Sequence, residues 1–132
     1  MEFVIRSNLS DRELVFSRLP GDYFLIQLRG IRLSAIATVY ADGSSGYLSR
    51  MFQEMGRLET PWSDARTWQS LEDEFNMAMT CDNRGHVCFD IKMRVEQGDL
   101  DPESAFVTAR LTVDLGTLPT LARDARKFFE QE

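Results

Sequence analysis

Residues 75–95 read FNMAMTCDNRGHVCFDIKMRV, two runs of alternating apolar residues around the polar turn Asp82-Asn83-Arg84-Gly85-His86. Phe75, Met77, Met79 and Cys81 form one period-two set; Val87, Phe89, Ile91, Met93 and Val95 form the other. Such alternation marks two half-buried strands. The turn fixes how they pair. A two-residue loop at Asn83-Arg84 would set Cys81 opposite His86 and leave one apolar set in water. A three-residue loop, with Gly85 left-handed in a bulge, pairs Asp82 with His86 and Cys81 with Val87. It also pairs Met79 with Phe89 and Met77 with Ile91, so both apolar sets share one face. The second register is expected. Cys81 then points inward and Cys88 outward, and no disulfide forms within the hairpin.

On the N-terminal side, Phe3 and Ile5 alternate with Val4 and Arg6, and Leu14-Val15-Phe16 is a short β-favouring run before the turn Pro20-Gly21-Asp22. Phe24, Ile26 and Leu28 alternate next, and after Gly30 the set Ile31, Leu33, Ala35, Ala37 and Val39 continues the period. The first forty residues thus read as an antiparallel meander. Asp42-Gly43-Ser44-Ser45-Gly46 interrupts it. Leu48, Met51, Phe52 and Met55 then fall at i, i+3, i+4 and i+7, which predicts a helix capped by Ser44 or Ser45 and ending near Gly56. Residues 59–64 read as a surface connection.

On the C-terminal side, residues 98–103 make a loop, and Ala105, Val107, Ala109, Leu111, Val113 and Leu115 form the longest alternation in the chain. Leu118, Leu121, Ala122, Ala125 and Phe128 or Phe129 predict a closing helix, with Thr117 as its N-cap and Arg123, Arg126 and Lys127 toward its cation-favouring end. The expected order is ββββ-α-βββ-α in a single domain spanning 1–132: an α+β fold whose antiparallel sheet of about seven strands carries two helices on one face.

Composition narrows the function classes. The chain has 132 residues, 43% hydrophobic and 27% charged, ordinary values for a globular protein with its own core. A net charge of −6 argues against nucleic-acid binding through phosphate neutralisation. No window approaches the roughly 18 uninterrupted apolar residues of a membrane span. Met1-Glu2-Phe3-Val4-Ile5-Arg6-Ser7 has neither a basic leader nor an apolar stretch of signal length. A cytoplasmic protein with reduced thiols is therefore expected. Of the 15 basic residues 13 are arginine, which points to a GC-rich coding sequence rather than to a function.

Candidates for chemistry are few. His86 is the single histidine; facing Asp82 it could form an acid/base pair, although a local hairpin contact explains it better. Cys88 is set aside as its nucleophilic partner on the expectation that the two side chains point to opposite faces of the strand. Glu72-Asp73-Glu74 makes a poor metal site if it lies on a strand, and Asp99-x-Asp101 lacks the other ligands of a calcium loop. Gly43-Ser44-Ser45-Gly46 lacks the lysine and spacing of a phosphate loop. No cofactor, metal or enzymatic activity is expected.

The charge is unevenly spread. Residues 59–103 carry 11 acids against 4 bases, whereas residues 1–58 carry 6 acids and 7 arginines. The excess is a solvated face or a docking surface for a basic partner, where acidic charge steers encounter. Trp68 precedes Leu71 and Phe75 and is expected to pack under the sheet. Trp62, in the connection, is expected to be more exposed and so the better interface anchor. The expected contact residues are Trp62, Glu72, Glu74, Asp82, His86, Asp99, Asp101 and Glu103.

From Trp68 to Val95 the chain reads WQSLEDEFNMAMTCDNRGHVCFDIKMRV. This run resembles small bacterial domains of unknown function, and is similar to the WapI-type immunity proteins of polymorphic toxin systems. The matching positions are Ser70, Leu71, Glu72, Asp82, Gly85, His86 and Val87. The resemblance implies a cytoplasmic antitoxin that binds a cognate toxin domain and blocks it sterically. An acidic chain fits a nuclease toxin with a basic cleft. A small ligand-binding or regulatory domain is the alternative.

Overall fold

The structure, a computed structural model, describes residues 1–40, 44–95, 103 and 105–130. Four strands open the chain: β1 (Glu2–Arg6), β2 (Glu13–Arg18), β3 (Tyr23–Gly30) and β4 (Leu33–Tyr40). Helix α1 (Ser44–Gly56) follows, then β5 (Arg66–Gln69), β6 (Phe75–Cys81), β7 (His86–Val95) and β8 (Ala105–Asp114). A single 3-10 turn, Leu115–Thr117, leads into helix α2 (Leu118–Phe129). The fold is α+β with every strand pair antiparallel.

Two features differ from the sequence reading. An eighth strand, β5, follows the expected 59–64 connection and contains Trp68, where no element was expected; it spans four residues, too few for alternation to register. The strands also form two four-stranded sheets, β1-β2-β3-β4 and β5-β6-β7-β8, rather than one of about seven. Local alternation specifies each hairpin but not whether two meanders join edge to edge. Here β5 takes the free edge of β6, so β4 finds no partner there and stays at an edge of its own sheet.

The 75–95 hairpin adopts the expected register, with Cys81 opposite Val87, Met79 opposite Phe89 and Met77 opposite Ile91. Gly85 sits at φ +81°, the left-handed bulge position. The Asp82 N–H donates to the His86 carbonyl at 3.0 Å. Cys81 is buried and Cys88 half-buried, and both are free thiols.

One hydrophobic core joins both sheets and both helices. The inner faces meet at Phe16 and Phe75, whose rings lie 6.1 Å apart. From α1, Phe52 touches Phe3 of the first sheet edge-on at 5.2 Å and Phe89 of the second at 6.2 Å. From α2, Phe128 and Phe129 pack on Phe3 and Phe16. Arg18 anchors the end of α2, with its guanidinium 5.1 Å from the Phe128 ring centre and bonded to the Phe128 carbonyl. The helices also clasp one another: Gln53 Nε2 donates to the Ala122 carbonyl at 2.6 Å. The segment between β1 and β2 reaches over to β8, where the Asn8 N–H donates to the Thr112 carbonyl at 2.7 Å and the Thr112 N–H to Ser7 Oγ at 3.1 Å.

Candidate functional site

The Asp82–His86 pair is built by its turn. Asp82 Oδ1 accepts the N–H groups of Arg84 and His86, each at 2.9 Å, while Oδ2 lies 3.1 Å from His86 Nδ1. These contacts hold the Asp82 carboxyl below the usual carboxylate range, the His86 backbone N–H first among them. The Gly85 carbonyl accepts the Leu115 N–H at 2.8 Å, tying the turn to the end of β8. Both Asp82 oxygens therefore serve the hairpin, and the pair acts as a turn lock.

One expectation about this hairpin is corrected. His86 and Cys88 are two positions apart, so they share the outward face, with Val87 between them turned into the core. Cys88 Sγ faces Thr112 Oγ1 at 3.9 Å across the β7–β8 ladder.

Glu72 and Glu74 do not lie on a strand. The segment from Ser70 to Glu74 is the tight turn between β5 and β6, with the Asp73 N–H donating to the Ser70 carbonyl at 3.1 Å and Asp73 itself at φ +65°. Buried Ser70 organises it: Ser70 Oγ donates to Glu74 Oε1 at 2.6 Å and accepts the Phe75 N–H at 3.0 Å. The end of β7 braces the other side. The Arg94 N–H donates to the Glu74 carbonyl at 2.9 Å, and the Arg94 guanidinium to the Glu72 carbonyl at 3.2 Å. The turn carries both glutamates to the wall of one groove.

That groove is half-open, about 690 Å³ in volume, and lies between the turn and the edge of β4. Its walls are Tyr23, residues 34–38 of β4, Glu72, Glu74, Arg94 and Val95. Tyr23 and Ile36 are exposed apolar side chains, 48% and 51% accessible. Sequence reading singled out the glutamates and missed these two. Their signal was present in the alternation: Ile36 belongs to the set of β4 that points away from Ala35 and Ala37. Such a groove, apolar on one wall and charged on the other, can hold an extended peptide or a small ligand.

The other expected contact residues lie differently. Trp62 is not an exposed anchor: it is half-buried against the core, its Nε1 donates to the Met79 carbonyl at 3.3 Å, and the Arg66 guanidinium lies 6.0 Å from its ring centre. An indole whose N–H and one face are already occupied offers little to a partner. Trp68 is buried as expected, against Phe75. Glu103 is exposed, and Asp99 and Asp101 fall outside the described residues. Among the described residues no three His, Cys, Asp or Glu side chains come close enough to hold a metal ion. Nor is any described helix long and apolar enough to cross a membrane.

The model of the family of unknown function DUF6228 matches residues 5–132, and the chain belongs to that family. No curated protein matches the chain. The family match covers the run from Trp68 to Val95 that carries the resemblance described above, but draws no link to immunity proteins.

Proposed function

We propose that this DUF6228 protein is a non-enzymatic, cytoplasmic protein-binding module, and that it blocks a basic toxin domain in the manner of an immunity protein. The observation that carries the reading is the β4 groove: exposed Tyr23 and Ile36 lie beside Glu72 and Glu74 on a chain of net charge −6. Apolar contact area supplies binding energy, and carboxylates around it steer a cationic partner and penalise anionic ones. Steric blockade needs nothing more than a stable complex over the partner's working cleft. The resemblance of the 68–95 run to immunity proteins supplies the class of partner.

Co-expression with the product of the neighbouring reading frame, read by growth and by size-exclusion chromatography, tests this. A stoichiometric complex that restores growth supports it, and raising salt should slow association of the purified components. Absence of both complex and rescue refutes the toxin partnership.

A further inference from the structure

Sheet edges recruit other strands unless something prevents it, and proteins protect them with charge, proline, bulges, shortness or a covering segment. Three of the four edges in this fold are protected in these ways over all or part of their length. β1 is five residues long, carries Glu2 and Arg6 at its ends and has α2 packed against it. β5 is four residues long and carries Arg66, paired with Glu54 at 3.0 Å. β8 is held by Ser7, Asn8 and Arg12 along residues 110–112.

β4 is the exception. Its eight residues, LSAIATVY, include no charge, no proline and no glycine, and all eight pair with β3 without a bulge. Its other edge hydrogen-bonds to no strand among the described residues, and β7, which packs beside β4, brings Arg94 and Val95 to the groove. The groove runs along residues 34–38 of that edge, a length of about 17 Å for five extended residues. Glu72 and Glu74 stand across from it, and Arg94 is turned to the Glu72 carbonyl of its own turn. The three charged side chains sum to a net negative wall. A guest strand in the groove would present alternate residues to the Ile36 side and to the Glu72–Glu74 side.

We propose that the β4 edge is a strand-addition site: it takes an extended partner segment alternating β-branched residues with lysine or arginine, the basic set over Glu72 and Glu74. Main-chain hydrogen bonds to β4 give affinity, and the glutamates choose the sign of the guest's charge. This rests on the protein-binding reading above and names the chemistry of the partner at that surface.

The test uses the full chain, labelled with nitrogen-15, and a capped seven-residue peptide alternating valine with lysine. A second peptide with glutamate in place of lysine is the control. The lysine peptide should shift the amides of residues 34–38 and of Glu72, saturating at or below about 1 mM. Glu72→Lys should weaken it roughly fivefold at low salt, the scale of one exposed charge pair. Ile36→Lys, which adds the charge that protected edges carry, should abolish it; Thr38→Lys serves as a second block if the first variant melts early. No shifts on β4, or equal binding of both peptides, overturns the proposal. So does a natural partner that binds the Ile36→Lys protein with unchanged affinity, although protein binding itself would then stand. A peptide that binds the edge as described, in a protein whose co-expression yields no complex, supports the strand site and removes the toxin reading.

Discussion

Gly56→Ala should destabilise this protein, against the usual rule for a helical glycine. Gly56 is the last residue of α1. Replacing a helical glycine by alanine ordinarily gains about 0.5–1 kcal/mol by restricting the unfolded chain. Here the new methyl would lie 2.8 Å from the Ala122 methyl of α2, with the Leu118 carbonyl at 3.4 Å and Pro119 Cα at 3.6 Å. Carbon atoms rest about 3.5–4.0 Å apart, so the helices must separate by roughly 1 Å at this crossing. Ala122 Cβ cannot swing aside, because it is fixed to its own backbone. Separation also stretches the Gln53–Ala122 hydrogen bond. Overpacking of this kind costs about 1–3 kcal/mol, so the net loss should be about 0.5–2 kcal/mol. Urea denaturation with an unchanged m-value measures it, as does a melting point lower by roughly 2–8 °C. The decisive comparison is a double-mutant cycle with Ala122→Gly, which removes the opposing methyl. The pair should couple favourably by at least about 1 kcal/mol. A stabilised Gly56→Ala protein, or coupling below about 0.3 kcal/mol, would show that the helices do not meet this closely.

Four other outcomes are expected. Phe52→Ala removes a fully buried ring that touches both sheets; it should cost about 3–5 kcal/mol while unfolding remains a single transition by circular dichroism and fluorescence. Gly85→Ala should cost about 1–2 kcal/mol in urea titrations, for conformation alone, since its methyl would meet only Leu115 Cβ at 3.7 Å with φ at +81°. Gly85→Asn should lose less, because asparagine tolerates that region. Asp82 has its carboxyl lowered by the N–H groups it accepts, so the stability it contributes is complete above about pH 4, the unfolded value, and fades as pH falls through the folded one. The gap between wild type and Asp82→Ala in denaturant midpoint should therefore close in acid, and a gap constant down to pH 2 would contradict the turn lock. Finally, a thiol reagent should label native Cys88 before Cys81, whose thiol is buried and pushed up by desolvation.

Most of the secondary structure was legible because its causes are local. The 75–95 register follows from two apolar sets that must share a face and a glycine placed where φ turns positive, and the structure adopts it. The helix over 48–55 and the closing helix follow from apolar spacing alone. Reading failed where a contact spans the chain. β5 acquires its strand character from β6, not from its own four residues. The indole of Trp62 is hidden because a backbone carbonyl 17 positions away accepts its N–H.

The candidate site divides the same way. Sequence alone determined that the acidic excess lies in residues 59–103 and that Ile36 occupies an outward position of its strand, since both depend only on counting and on the two-residue period of a strand. Only the tertiary structure decided that the turn bearing Glu72 and Glu74 meets the edge of β4, and that no strand among the described residues hydrogen-bonds to that edge. A strand's own residues set which of its faces is apolar. What stands beside its edge is fixed by packing against elements more than thirty residues away, and no periodicity in the chain encodes that.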